Sequence, residues 1–170
     1  IMFSSFKKSK FYFSEDNINS LNDNKYIYCP HPLTNWSLNP KFLKNYEYQH
    51  TKEGFRKISK SDELVRDLKK PLFLCVGGST TYCTGIDSYT NTWPYILTKL
   101  LTDKANIINA GVGGWTLIQS LIRFIAWGPI LKPEFTIIYQ TKNELTPYIQ
   151  GRISEKNIFP LYENVMLQYS

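Results

Sequence analysis

The sequence lacks the residue patterns of several common kinds of site. Its three cysteines, Cys29, Cys75 and Cys83, form neither a C-x-x-C pair nor a cysteine–histidine spacing, so we expect neither a disulfide framework nor a zinc site. There is no G-K-[ST] sequence, which excludes a P-loop. No run reaches the ~18 consecutive apolar residues of a membrane span. These patterns call for no cofactor and no integral membrane segment.

The bulk composition describes a folded domain with a basic surface. Hydrophobic residues make up 42% of the 170 residues and aromatic residues 15%, which argues against disorder of the whole chain. The formal charge is +6, but the basic residues are scattered and form no run beyond pairs such as Lys7-Lys8. A solvated basic surface is favoured over a nucleic-acid site. The oligomeric state is not fixed by these features.

Two regions differ in character. Residues 1–70 are rich in Asn, Lys, Ser and Tyr, with turn signals at residues 29–32, 39–40 and 53–54. We interpret them as an irregular N-terminal extension, with short strands or extended segments, that packs on a main domain over residues 71–170. Within the extension, residues 61–69 are predicted to form a short helix with Ser61 as its N-cap and one apolar face made of Leu64, Val65 and Leu68.

The chain ends suggest a fragment. Ile1-Met2 is an unusual start, and residues 168–170 stop inside an apolar-periodic segment. We therefore expect a truncated domain, whose N-terminal signal or anchor could be missing. The odd, unpaired cysteines slightly favour the cytoplasm, but the compartment stays open.

From residue 71 the pattern alternates between strands and helices. Apolar runs at residues 72–76, 106–109 and 135–139 predict three strands, the first of them buried on both faces. Between them, a helix capped by Thr92 has Pro94 in its first turn and apolar positions Trp93, Ile96, Leu97, Leu100 and Leu101. A second helix is predicted over residues 116–127, ended by Pro129 and Pro133, with its inward face formed by Leu117, Leu121, Ile122 and Ile125. A third begins at residues 159–169. This order predicts a parallel sheet covered by helices.

Polar and glycine residues follow each of the three strands. Parallel strands with right-handed crossovers end at one edge of the sheet, where open α/β sheets bind ligands. Ser79 after the first strand offers a hydroxyl nucleophile and its own N–H. Gly114 after the second strand offers an unhindered N–H, and Asn143 after the third offers a side-chain amide. Such donors suit the oxyanion of an acyl-transfer reaction.

Each loop alone has a simpler interpretation. A Gly-Gly-Ser turn is common loop chemistry. Residues 111–114 could bind a dinucleotide phosphate, although they lack the full G-x-G-x-x-G pattern. Residues 143–144 could begin a helix. The three features occurring together, in this order, favour the acyl-transfer interpretation.

The same blocks resemble the SGNH/GDSL hydrolases, in the branch whose first block reads GGST. Residues 76–82 (VGGSTTY) are similar to the nucleophile block, residues 109–114 (NAGVGG) to the second block and residues 139–144 (YQTKNE) to the third. Residues 93–94 and 54–56 are similar to flanking segments. The resemblance implies a flavodoxin-like three-layer α/β/α sandwich. It implies Ser79 as nucleophile, Gly114 and Asn143 as oxyanion donors, and hydrolysis or acyl transfer on a small-molecule or glycan ester, of carbohydrate or lipid type.

The sequence departs from that family in two places. Lys142 and Glu144 flank Asn143 where the family often has Gly and Asp, and Lys142 either crowds the loop or adds positive charge. The family takes its catalytic Asp and His from a C-terminal D-x-x-H block, which is absent here. His31, most simply a turn residue between two prolines, and His50 both precede the nucleophile. We expect the base to lie outside this sequence and the fragment to be inactive.

Two other functions stay open at this point. A degenerate hydrolase domain could bind a glycan or a partner without catalysis. A nucleotide-binding α/β domain could use residues 111–114.

Overall fold

The computed structural model describes residues 24–44, 47–140 and 142–144. Two short antiparallel hairpins come first. Strand β1 (Tyr28–His31) pairs with β2 (Asn35–Leu38), and β3 (Leu43–Lys44) pairs with β4 (Glu47–Tyr48). These hairpins lie in the region predicted to be an irregular extension.

A parallel sheet of three strands forms the centre of the structure. It consists of β5 (Leu72–Gly77), β6 (Asn106–Asn109) and β7 (Phe135–Tyr139), in the order β6-β5-β7. The register aligns Cys75 of β5 with Asn109 of β6 and Ile137 of β7. This second-first-third order is the one that begins a flavodoxin-like sheet. The predicted α/β class with a parallel sheet is confirmed.

Helices cover both faces of this sheet. They are α1 (Ser79–Tyr82), α2 (Trp93–Leu100) and α3 (Leu117–Leu131), with a 3₁₀ turn at Tyr89–Asn91. Side chains alternate between the faces along β5. Leu72, Leu74 and Val76 pack towards α3, whereas Phe73 and Cys75 pack towards α2. The sheet is therefore the middle of three layers.

The buried face of α3 differs from the predicted one. Leu117, Leu121 and Ile125 were expected inward but are 43%, 48% and 62% exposed. The residues that α3 buries are instead mainly polar or small: Gln119, Ser120, Arg123, Gly128 and Leu131. The helix also continues through Pro129 to Leu131 rather than ending before it. Contacts with the N-terminal segment, described below, determine this orientation.

Two local predictions in the first hundred residues were wrong. Residues 61–69 form no helix, and Val65 and Leu68 are 70% and 81% exposed. His31 ends strand β1, and the turn follows it at residues 32–34. Thr92 is the N-cap residue of α2, as predicted, but its hydroxyl donates to Tyr89 O at 2.7 Å and makes no capping bond to the helix.

The segment before residue 71 contributes to the same core as the sheet. Phe55 is fully buried in a cluster with Leu72, Leu74 and Ile108, and the backbone N–H of Arg56 donates to Asn109 O at 3.0 Å. The domain boundary at residue 70 stays a prediction. Within the described ranges no helix is long and apolar enough to cross a bilayer, and the predicted helix at residues 159–169 lies outside those ranges.

Candidate active site

Ser79 lies where the central strand of the sheet turns into a helix. Strand β5 ends at Gly77, Gly78 precedes the helix and Ser79 is the first residue of α1. Gly77 adopts φ +155°, and a Cβ there would lie 2.2 Å from Tyr139 O, so only glycine fits this turn. The turn brings the Ser79 backbone to the carboxyl edge of the sheet, where it was predicted.

The Ser79 side chain is half-buried and lines an open pocket of about 440 Å³. The first N–H groups of a helix have no intrahelical partner, and within the described ranges the N–H of Ser79 donates to no backbone acceptor. Its hydroxyl likewise makes no hydrogen bond to any described side chain. Among the described residues, therefore, no base is hydrogen-bonded to the Ser79 hydroxyl, and its N–H has no backbone acceptor.

The loop after β6 is tied to the nucleophile turn. The N–H of Ala110 donates to Cys75 O at 2.8 Å, and that of Val112 donates to Gly77 O at 3.0 Å. Gly114 follows at φ +78°, and in the part of the chain that the structure describes its N–H donates to no backbone acceptor. An unpaired N–H on this loop is the group that the sequence predicted there.

Asn143 lies against the nucleophile turn. Its Nδ2 donates to Trp115 O at 2.7 Å, and it lies 2.8 Å from the point that a Cβ on Gly78 would occupy. A side-chain amide has two N–H donors, so one remains after the Trp115 bond. The structure thus places Asn143 beside the residue preceding Ser79, and beside the carbonyl that follows Gly114. The catalytic roles of all three residues stay predictions.

Lys142 and Glu144, which flank Asn143, have different surroundings. Lys142 is exposed. The Glu144 carboxylate accepts a hydrogen bond from the backbone N–H of Leu117, the first residue of α3. A carboxylate is favourable at that end of a helix, because the helix dipole is positive there. Glu144 therefore joins the third loop to the start of α3.

Sequence reasoning missed the role of Gln140. Its Nε2 donates to Trp115 O at 2.5 Å, the same carbonyl that accepts from Asn143. Two side chains of the third loop therefore hold one carbonyl of the second loop. No spacing rule predicts this contact, because it depends on how two loops meet in space.

Neither histidine is placed to activate Ser79. His50 is 1% exposed, with Nδ1 2.6 Å from Asn39 O and Nε2 3.0 Å from Tyr82 OH. Burial lowers the pKa of His50 to about 3, so the ring is neutral and fits as a donor to Asn39 O and an acceptor from Tyr82. His31 Nδ1 lies 2.8 Å from Thr34 Oγ1, and burial also lowers the pKa of His31.

A buried hydrogen-bond network holds the C-terminal end of α1. Arg56 Nη1 donates to Tyr82 OH at 3.2 Å, and Nη2 donates to the carbonyls of Ile86 and Asp87 at 2.8 and 3.0 Å. Together with His50, these bonds fix the end of the helix that begins at Ser79. The sequence signal for this network was the short segment 54–56, which was noted only as a flanking resemblance.

Arg123 is a second buried cation near the site. It is 5% exposed, and its guanidinium lies 4.5 Å from the centre of the Phe55 ring and 5.4 Å from that of Trp115. Nη2 donates to Gly54 O, and among the described residues it forms no salt bridge. Burial lowers the pKa of Arg123 to about 10. The aromatic faces and one carbonyl are its main described partners.

Two solved structures of one esterase are similar to part of the chain. The crystal structure of AlinE4, an SGNH-hydrolase family esterase, matches with 27% identity and a TM-score of 0.41. The match covers 49% of this chain and 46% of AlinE4. A point mutant of the same esterase matches with 28% identity and a TM-score of 0.40 over 48% of this chain and 45% of that one. The chain thus spans about half the length of these neighbours.

No protein-family model matches the sequence, and no curated protein matches it.

Proposed function

We propose that this chain forms part of a serine ester hydrolase, with Ser79 as the nucleophile. The observation that carries the proposal is the position of Asn143, whose amide lies against Gly78 while it also holds Trp115 O. This position supports a common site made from the loops after all three strands. The resemblance of the same three segments to the SGNH blocks supports the same function.

The proposed reaction has two steps. The Ser79 oxygen attacks the ester carbonyl, and the negative charge that develops on the carbonyl oxygen is stabilised by the N–H groups of Ser79 and Gly114 and by the Asn143 amide. The C–O bond to the alcohol then breaks, and the alcohol leaves with the proton taken from Ser79. Water hydrolyses the acyl-serine in the second step, which returns the proton to Ser79 and releases the acid.

A base must accept the serine proton, since a free serine hydroxyl is a weak nucleophile. The sequence has only two histidines, and both are engaged in contacts away from Ser79. We propose that a histidine from a part of the protein outside residues 1–170 is the base. This assignment rests on the SGNH resemblance, in which an Asp–His block follows the third block.

Hydrolysis of p-nitrophenyl acetate by the complete translated protein tests this function. Ser79→Ala is expected to reduce the rate at least 10³-fold, as expected when a catalytic nucleophile is removed. Ser59→Ala, at an exposed serine that does not line the pocket, is the matched control and is expected to retain the wild-type rate. An unchanged rate in Ser79→Ala would refute the proposal.

One observation favours a second candidate, a binding module without catalysis. The described residues contain no base within hydrogen-bond reach of Ser79. If the complete protein also lacks one, the site would bind an ester or a glycan without turning it over. Absence of hydrolysis, together with glycan binding that survives Ser79→Ala, would support this candidate.

A further inference from the structure

We propose that the pocket beside Ser79 binds an uncharged, apolar acyl chain, which makes an alkyl ester the substrate class. The inference deepens the proposed function and rests on it for the position of the reacting carbonyl at Ser79. The pocket has a volume of about 440 Å³ and is lined by residues from α1, the following loop, α2 and the end of β7: Ser79, Thr80, Cys83, Thr84, Ile86, Asn91, Trp93, Ile96 and Tyr139. This volume is in the range of small-molecule sites, ~300–1,000 Å³.

The apolar lining is left open to solvent. Ile86, Ile96 and Tyr139 are 37%, 45% and 52% exposed. Single exposed apolar side chains are ordinary, but several around one concave surface mark a site for an apolar partner. Here they line the same pocket as Ser79. An alkyl chain attached to a carbonyl at Ser79 would cover them.

The lining has no charged side chain. Burying an acyl group that carries a carboxylate or phosphate would leave its charge without a partner, which is costly in an apolar site. A sugar ring would require hydrogen-bond partners for several hydroxyls. Apart from Ser79, the lining offers the side chains of Thr80, Thr84 and Asn91, the Tyr139 hydroxyl and the weakly polar Cys83 thiol, and no charged group. The pocket therefore suits the acyl side of an ester, and a polar alcohol would extend away from it.

One wall of the pocket is held in place by bonds within the protein. Trp93 Nε1 donates to Thr80 O at 3.1 Å, and the Trp93 ring meets Tyr139 edge to face at 6.4 Å between ring centroids. Because the indole N–H is already bonded, Trp93 offers its carbon framework to a ligand. A preformed wall reduces the ordering cost of binding an apolar chain.

Binding can be measured without catalysis, by titrating the complete protein carrying Ser79→Ala with methyl esters from butanoate to decanoate and following tryptophan fluorescence. Each added methylene is expected to lower the Kd about fourfold until the pocket is filled, from ~0.8 kcal/mol per buried methylene. A Kd that does not change with chain length would overturn the proposal.

Two substitutions on α2 test whether the acyl chain binds in this pocket. Ile96→Asp places a charge in the pocket at a half-exposed position, and it is expected to weaken decanoate ester binding at least tenfold while changing butanoate ester binding less. Leu100→Asp makes the same change one helical turn away, at a residue that is 74% exposed and does not line the pocket. It is expected to leave all Kd values within twofold. Equal losses in both variants would place the chain elsewhere and overturn the proposal.

The binding and hydrolysis experiments distinguish failure of the acyl pocket from failure of the proposed function. Chain-length-dependent binding without any hydrolysis would support the acyl pocket and remove the proposed function. Hydrolysis that depends on Ser79, with no chain-length dependence in binding, would support the proposed function and remove the acyl pocket.

Discussion

Trp36 of the first hairpin and Trp115 of the loop after β6 are joined by a hydrogen bond, and a second bond from Trp36 crosses the same interface in the opposite direction. Trp115 Nε1 donates to Trp36 O at 3.0 Å, and Trp36 Nε1 donates to Gly113 O at 3.1 Å. Both indoles are almost fully buried. Gly114, the proposed oxyanion donor, lies between the two loop residues that these bonds hold. The hairpin therefore holds both neighbours of Gly114 in place.

Trp36→Phe is expected to loosen this loop. The variant keeps an aromatic ring in the cluster but leaves Gly113 O buried without its indole partner, at a cost of about 1–3 kcal/mol in the free energy of unfolding. If Trp36 positions Gly114, kcat for ester hydrolysis falls while KM changes little, because the lost alignment matters most for the transition state.

Trp127→Phe is the matched control for Trp36→Phe. Trp127 packs edge to face on Phe55 at 5.0 Å between ring centroids, away from the loop. The Trp127→Phe variant is expected to lose stability without the selective loss of kcat that is expected for Trp36→Phe. A purely structural role for Trp36 would give the same kinetic pattern in both variants, with kcat and KM unchanged after correction for folded protein.

Asn143→Ala tests the third loop. Loss of one oxyanion donor is expected to reduce kcat by about 10²–10³-fold. Gln140→Ala separates this effect from the shared bond to Trp115 O, since Gln140 donates to the same carbonyl. Its expected loss is below tenfold. Steady-state hydrolysis of p-nitrophenyl acetate measures both, and equal losses would assign Asn143 a structural role only.

Gly111→Ala is expected to destabilise the fold by about 2–3 kcal/mol, in the range of overpacked sites. A Cβ at this position would lie 2.3 Å from Tyr82 N and 2.6 Å from Thr81 C, and these are backbone atoms of α1 that cannot rotate away. Gly128→Ala is the control, because beyond its chain neighbours its Cβ would meet the Phe124 ring at 3.6 Å. The better helix propensity of alanine is offset by the preference of a residue before proline, here Pro129, against helical backbone, so the stability is expected to stay within about 1 kcal/mol of the wild type. Urea unfolding of both variants measures the difference, and equal stabilities would contradict this account.

The lowered pKa of His50 predicts that the protein loses stability in mild acid. Its folded-state pKa is lowered to about 3, whereas the unfolded chain binds a proton near pH 6.5. Between these values the unfolded state holds more protons, so stability falls as the pH falls, by up to about 1.4 kcal/mol per pH unit. Unfolding free energies between pH 7 and pH 4 measure this slope.

Two histidine variants assign that slope. His50→Gln is expected to reduce the slope of unfolding free energy against pH by the part that corresponds to most of one bound proton. His31→Asn removes a half-buried ring whose pKa is also lowered, and it is expected to retain the His50 part. A His50→Gln protein with the wild-type slope would show that another group is responsible.

The sequence predicted the sheet well because its strands are continuous apolar runs. Phe135–Tyr139 and Asn106–Asn109 have the predicted bounds, and β5 extends the prediction by one residue to Gly77. The placement of Ser79 followed from the strand bounds and from Gly77 and Gly78 at the end of β5. These signals are local, so a single sequence contains them.

The orientation of α3 could not be predicted from such local signals. Its predicted inward face was chosen by apolar periodicity, but Gln119 Nε2 donates to Thr34 O at 2.9 Å and Arg123 donates to Gly54 O. Both acceptors lie more than sixty residues away in the sequence. Bonds of this kind outweigh a periodic pattern and leave no trace in it.

The predicted helix over residues 61–69 failed for a similar reason. The Leu64 N–H donates to Glu53 Oε2 at 3.2 Å, and the Asp67 N–H donates to Asn106 Oδ1 at 2.7 Å. These tertiary partners satisfy backbone groups that a helix would have used, so the weak local propensity did not decide the structure.

Covalent labelling of Ser79 by a fluorophosphonate probe tests the central claim most directly. The complete protein is treated with the probe, digested, and the modified residue is identified by mass spectrometry, with Ser79→Ala as the control. The account predicts one modified serine, Ser79, and no adduct in the variant. Labelling at another residue, or equal labelling of both proteins, would contradict it.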